Sequence, residues 1–318
     1  MNQQITLDTI IQAHERIKPH IHRTPILTNQ TINELVGASV FFKCENFQKI
    51  GAFKARGGIN AILQIVANNE GKAITTHSSG NHAQAVAFAA RLVGLPAYIV
   101  MPGNAPQVKK DAVKGYGAEV IECEPNLAAR ENGVAEVINR TGAVLVHPFD
   151  NDRVIAGQAT AAKELLEDAG LDHPFDTIFT PVGGGGLLSG TALTVHYLSP
   201  QTKVIGCEPE GAADAILSFK TGKVEKAPYI KSVADGLLTN LSERTLAIIR
   251  EYVSDILTVS DEEIIAAMKL VWERMKIIIE PSSAVALAVV IKHKDKFAGQ
   301  KIGIIITGGN VDMGKLPF

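Results

Sequence analysis

Phe47-Gln-Lys-Ile-Gly-Ala-Phe-Lys-Ala-Arg-Gly-Gly58 joins two segments of different periodicity. Before it, Ala38 to Cys44 reads as a short β-run. After it, Ile59, Ile62, Leu63 and Val66 fall at helical spacing and form one apolar stripe. Lys54 therefore stands where a strand-following loop turns into a helix. The positive end of that helix and neighbouring Arg56 are expected to lower the amine's pKa, and Phe53 to shield it. A lysine so placed is a candidate Schiff-base former, although most lysines at helix starts are solvated surface residues.

Upstream, residues 6–20 read as an opening helix, Arg23–Leu27 as extended because Pro25 disfavours helix before it, and Gln30–Val36 as a short helix. Downstream of Gly71 the rhythm alternates strictly. Strands at Lys72–Thr76, Ala97–Met101, Glu119–Glu122 and Ala143–His147 are separated by helical patterns at Gln84–Leu92, Pro106–Lys114 and Leu127–Ile138. One helix between successive strands indicates βαβ units and a parallel sheet. A second series runs from a helix at 152–168 through strands Thr177–Pro181 and Val204–Glu208. Ser260-Asp-Glu-Glu263 is a capping box opening a helix to about Lys276, and helix Ser282–Ile291 and strand Ile302–Ile306 close the chain. The expected organisation is α/β: a large domain from 1–70 plus 151–318, with a small domain, 71–150, inserted in it.

The 318 residues carry 31 Lys and Arg against 33 Asp and Glu, which gives no electrostatic case for nucleic acid. No apolar run reaches transmembrane length and the N-terminus lacks a signal pattern, so a cytoplasmic protein with no membrane partner is expected. Cys44, Cys123 and Cys207 form no C-x-x-C and read as free thiols. His14, His20, His22, His147, His173, His196 and His293 show no metal-ligand spacing, and Trp272 reads as packing.

Three further stretches carry chemistry. Pro181-Val-Gly-Gly-Gly-Gly-Leu-Leu-Ser-Gly190 lies between an apolar strand and an apolar helix, and its backbone amides and helix start suit a single phosphate. A tight turn alone would need only one or two glycines. A dinucleotide loop would normally occupy the first strand-to-helix turn. His77-Ser-Ser-Gly-Asn-His-Ala83 places hydroxyls, an amide and exposed N–H groups at one helix start, which suits a carboxylate; a helix cap would need only Ser78 or Ser79. Thr307-Gly-Gly-Asn310 ends an apolar strand, where parallel sheets place ligands. A Schiff-base lysine, a phosphate cup and a carboxylate site together suggest pyridoxal 5′-phosphate (PLP) acting on an amino acid.

With F-K-x-R-G, S-S-G-N-H, V-G-G-G-G, A-D-G, E-P-S-S and T-G-G-N in order, the chain resembles the fold-type II PLP enzymes, the tryptophan synthase β-like class. The resemblance is to their serine racemase and serine/threonine dehydratase branch and runs from about residue 6 to residue 312. It implies that Lys54 carries PLP and takes the substrate's α-proton, that Phe53 lies against the ring, and that Asn81 meets the ring hydroxyl. Gly183, Gly184, Gly185, Gly186 and Leu187 would hold the phosphate. Thr307 would meet the pyridine nitrogen, leaving it unprotonated. Ser78, Ser79, Asn81 and His82 would hold the substrate carboxylate. Ser79 would also reprotonate Cα from the face opposite Lys54, and Asp235 would stand near the β-position.

In the racemase-like subgroup the positions matching Glu208, Ala212 and Asp214 bind a divalent cation, so Mg²⁺ (or Ca²⁺ or Mn²⁺) is expected. Without the resemblance, the two acids read as surface charges. Positions matching Lys49, Gln84, Lys276 and Asn310 bind ATP in some eukaryotic racemases, but Ile50 replaces a polar residue there and argues against nucleotide activation. Phe149 stands where mammalian racemases have Asn. The expected activity is β-elimination from L-serine or L-threonine, with threo-3-hydroxyaspartate ammonia-lyase or serine racemase activity as alternatives. A cysteine-synthase-type transferase and a non-catalytic PLP-binding protein rank below. A homodimer is the family expectation.

Overall fold

Near-continuous apolar runs bounded by glycine and polar turns supply the central strands, as in sheets buried on both faces. The structure is a computed structural model and describes residues 5–170, 172 and 174–318, so His173 lies outside the described residues. The chain opens with α1 (Leu7–Ile17), β1 (Ile26–Leu27), α2 (Gln30–Val36) and β2 (Ser39–Cys44), then enters α3 (Lys54–Ala67). Next come β3 (Ile74–His77), α4 (Asn81–Leu92), β4 (Ala97–Pro102), α5 (Gln107–Gly115), β5 (Glu119–Cys123), α6 (Leu127–Thr141) and β6 (Val144–Leu145). The second series is α7 (Asp152–Ala169), β7 (Thr177–Pro181), α8 (Gly186–Leu198), β8 (Lys203–Pro209), α9 (Asp214–Thr221) and α10 (Glu243–Tyr252). It ends with β9 (Asp255–Val259), α11 (Asp261–Met275), α12 (Pro281–Lys292) and β10 (Lys301–Ile306).

Two sheets result, in the orders β1-β2-β10-β7-β8-β9 and β5-β4-β3-β6. Every pairing is parallel except β1 on β2. Strand addition reverses once in each sheet. β7, β8 and β9 are laid down outward, and β10 then returns to the other side of β7. In the smaller sheet β3, β4 and β5 run outward, and β6 returns beside β3. At such reversals the loops leaving the strand ends diverge and open a crevice. The loops there are Gly183–Gly186 after β7, Thr307 after β10, Ser78–Gly80 after β3 and His147–Asp150 after β6. The glycine loop, the Ser78–Gly80 turn and Thr307 thus sit at the two crevices.

β10 shows how the sheet is buried. Ile302, Ile304 and Ile306 pack with Val285, Leu287 and Val289 of α12, whereas Ile305 points into the cluster of Leu165, Phe175 and Leu188. Each such isoleucine contributes about 1.5–3 kcal/mol of transfer free energy as an upper bound. Helix α3 crosses α7 at two facing glycines: a Cβ on Gly157 would lie 2.6 Å from the Gly57 Cα. That close approach fixes the helix that begins at Lys54. Ser260 does form the expected capping box with Glu263. Trp272 packs against the main core and donates to the Ile279 carbonyl at 3.0 Å.

Candidate active site

Lys54 is held by its own loop. The Phe53 N–H donates to the Thr307 carbonyl at 2.9 Å, the Gly309 N–H donates to Gly51 O at 2.9 Å, and Ala52 bridges Gly308. The strand end of β10 therefore templates the loop. Ile50 adopts φ 61°, a left-handed conformation costly for a β-branched side chain, and Asn310 Nδ2 holds its carbonyl at 2.8 Å. From this loop Lys54 Nζ reaches across to the Pro148 carbonyl, 3.0 Å away and just beyond β6. The residue is only partly buried, yet the surroundings of its amine are dense enough for burial to lower the pKa to about 8, with Glu280 pulling it upward.

The contribution expected from Arg56 is not found. Its guanidinium turns away from the crevice and forks onto Glu45 (2.6 and 2.7 Å) and Glu164 (2.8 and 2.9 Å), with Lys43 completing the buried cluster. Two carboxylates neutralise it, so desolvation, not a neighbouring cation, lowers the Lys54 pKa. His14 is buried at the edge of this cluster, 3.3 Å from Glu164.

The glycine loop is a cradle with no room for side chains. A Cβ on Gly184 would lie 2.1 Å from Phe149 Cδ1, and one on Gly185, at φ 86°, would lie 2.8 Å from Leu241 Cδ2. α8 begins at Gly186 with no side-chain cap, so its first-turn amides are open to an anion. Thr307 Oγ1 pairs with Ser283 Oγ at 2.8 Å, and Ser283 also bonds both the amide and the carbonyl of Gly308 at 2.7 Å. No carboxylate is hydrogen-bonded to Thr307 among the described residues.

The cap reading of Ser78 and Ser79 fails: the N-cap of α4 is Gly80, with no side-chain cap. Ser78 Oγ accepts only a 3.3 Å bond from the Gly80 N–H. Asn81 donates to both oxygens of Glu280, at 2.8 and 3.2 Å, and accepts from Asn310 at 2.8 Å, so it ties the two sheets together. His82 is 2 % exposed; its Nε2 donates to Val146 O at 2.9 Å, and its Nδ1 has no partner. Burial, then Lys54, hold that imidazole well below its usual pKa, so it is neutral.

Sequence reasoning gave no role to Glu280, Ser283 or His147. Glu280 lies within the quoted E-P-S-S motif at the start of α12, but its carboxylate leaves its own helix for Asn81, which only a tertiary structure can reveal. Burial raises it to about 7, against the Asn81 hydrogen bond. His147 packs edge-on against His77 and Phe149 beside the crevice, and burial, then His77, lower its pKa to about 4.

Residues 17–308 match the family described as pyridoxal-phosphate dependent enzyme. The chain belongs to that family. It is 51 % identical over 313 residues to the beta-hydroxyaspartate dehydratase of Paracoccus denitrificans, covering 98 % of each chain. The serine racemase structure from Dictyostelium discoideum superposes with TM-score 0.91 at 50 % identity, covering 97 % of this chain and 99 % of that one. The threonine deaminase structure from T.th. gives TM-score 0.91 at 42 % identity, covering 97 % and 99 %. The expected fold class, with parallel-rich sheets flanked by helices, is the one observed.

The residues present fit the family's cofactor. Lys54, the open amides at Gly186 and Leu187, and Thr307 line the two meeting crevices, and the glycine loop carries no side chain to cover its amides. Asp235 stands at the rim, ion-paired with Lys109. Glu208 and Asp214 lie apart from the crevices at the end of β8, 1 % and 2 % exposed, beside buried Ala212. Glu208 accepts from the amides of Ala215 (2.7 Å) and Ile216 (3.0 Å) at the start of α9, whereas Asp214 Oδ2 has no partner. Among the described residues no group of three or more His, Cys, Asp or Glu side chains could hold a metal.

Proposed function

We propose that the protein eliminates the β-hydroxyl of small L-amino acids, releasing a 2-oxo acid and ammonia. The observation carrying this reading is the position of Lys54, whose loop is templated by the end of β10 while its Nζ reaches the Pro148 carbonyl beyond β6, at the junction of the two crevices. When bound, PLP supplies the electron sink for the pair left by the departing α-proton. The amides of Gly183, Gly184, Gly185, Gly186 and Leu187 would hold its phosphate, and Phe53 and Asn81 would bind its ring. Thr307 would offer the ring nitrogen a neutral hydroxyl in place of a carboxylate, a setting that favours loss of a β-leaving group.

Ser78 and Ser79, Asn81 and the first-turn amide of His82 hold the substrate carboxylate, and Asp235 faces the β-position. Lys54 Nζ, freed as a base, takes the α-proton; its lowered pKa keeps an appreciable fraction unprotonated near neutral pH. L-serine, L-threonine and L-threo-3-hydroxyaspartate are the substrates, in keeping with the activities named for the relatives. Racemisation through Ser79 is the second reading, favoured by the likeness to the Dictyostelium enzyme.

A divalent cation, Mg²⁺ by preference, is held by Glu208, Asp214 and the carbonyl of Ala212. The unpartnered Asp214 oxygen and the upward shift of both carboxyls fit a missing positive charge there. The small domain is 71–150, the large one 1–70 with 151–318, the assembly a homodimer and the compartment the cytoplasm, where the free thiols of Cys44, Cys123 and Cys207 persist. The test is 2-oxo acid release from L-serine, L-threonine, L-threo-3-hydroxyaspartate and D-serine. Release from an L-substrate, lost in Lys54→Ala, supports elimination. PLP-bound protein silent on all four refutes it.

A further inference from the structure

We propose that Lys109 selects substrates carrying a second carboxylate on Cβ. The inference rests on the lyase reading and adds the residue that sets its substrate class. Two adjacent lysines on α5 behave differently. Lys110 stays within its own sheet layer, bonding Gly103 O (2.7 Å) and Glu122 (2.8 Å). Lys109 instead leaves the small-sheet layer and pairs with Asp235 in the segment between α9 and α10 of the other layer. The amide of Gly236, next in the chain, donates to Ser282 Oγ at 3.0 Å, anchoring Asp235 beside the helix start that carries Glu280.

The pair lies within electrostatic reach of the site. The buried carboxyl of Glu280, hydrogen-bonded to Asn81, is shifted upward by Asp235 and downward by Lys109. Both partners are solvent-accessible, with side chains 30 % and 55 % exposed, so the ammonium can exchange one carboxylate for another. A neutral β-substituent, as in serine or threonine, leaves Lys109 on Asp235. A β-carboxylate entering the cleft faces the charge of Asp235, and an ammonium with three donors is the group that turns this repulsion into recognition. Lys109 is thus a counter-ion shared between the rim and the substrate.

Two substitutions in the PLP-loaded enzyme should act in opposite directions. Lys109→Met should lower the kcat/KM ratio for L-threo-3-hydroxyaspartate over L-serine by about tenfold or more, mainly through KM, equivalent to about 1.4 kcal/mol. Asp235→Asn, which frees Lys109, should raise the ratio, and Lys109→Arg should keep most of it. Equal loss on both substrates in Lys109→Met would mark a mere latch between domains and overturn the proposal. An unchanged ratio would overturn it as well. Wild-type enzyme that eliminates from no substrate would sink the lyase reading instead. Binding of L-aspartate against L-alanine, read from the absorbance of bound PLP, then decides the selector role: preference for aspartate lost in Lys109→Met supports it, and preference retained overturns it.

Discussion

Gly184→Ala tests whether the glycine loop is a cradle or only a turn. The added methyl would sit 2.1, 2.4 and 2.4 Å from three ring atoms of Phe149. Ordinary carbon contacts are about 3.5–4.0 Å, so one side must retreat by roughly 1.5 Å. Phe149 cannot yield freely, because His147 packs edge-on against its ring at a centroid separation of 4.7 Å. The loop must move, at the usual overpacking cost of about 1–3 kcal/mol. If the displaced amides are those that bind phosphate, PLP affinity falls by about 5- to 150-fold, at about 1.4 kcal/mol per decade. Titration of apoprotein with PLP, followed by absorbance, measures this, and thermal unfolding of the apoprotein reports the packing cost separately. Gly184→Ala combined with Phe149→Ala should recover most of the affinity, because the cavity accepts the methyl. An apoprotein that melts earlier yet binds PLP with unchanged affinity would falsify the cradle.

Arg56→Met should destabilise the fold by about 3–5 kcal/mol, because Glu45 is left buried with Thr24 as its remaining side-chain donor. Thermal unfolding should show the loss, and Glu45→Gln in the same chain should return part of it; a wild-type melting point would contradict the buried cluster. The acidic pair predicts a pH-dependent metal effect. Burial raises Glu208 to about 8 and Asp214 to about 7, so between about pH 4 and these values the folded chain holds protons that the unfolded chain releases. Metal-free stability should therefore fall as pH rises through this window. Mg²⁺ replaces those protons, so its stabilisation should be larger at pH 8 than at pH 5.5 and should vanish with EDTA. Equal or absent Tm shifts at the two pH values would remove the site.

Local pattern alone exposed much of the architecture. Strands such as Ile302–Ile306 are apolar without interruption, and glycines and capping boxes such as Ser260–Glu263 mark the turns between elements. The site motifs were legible because each crowds unusual residue types into one strand-to-helix turn. Long-range partnership was not. Nothing near Arg56 in the chain says that Glu164, 108 residues away, neutralises it. Glu280 reads as an ordinary helix start until Asn81, 199 residues away, is seen beside it. The left-handed Ile50 was equally hidden, because a β-branched residue predicts the opposite backbone and only the Asn310 contact and the β10 template hold it there. Helix α10 and strand β9 went unread because both are short and no glycine-rich turn or site motif marks them.

The central claim is that Lys54, where the two crevices meet, is the residue that carries PLP. Borohydride reduction of the PLP-loaded protein, followed by peptide mapping, tests it most directly. The account predicts one pyridoxyl-lysine, at Lys54, and none after Lys54→Ala. A label on another lysine, or PLP retained without any reducible bond, would contradict it.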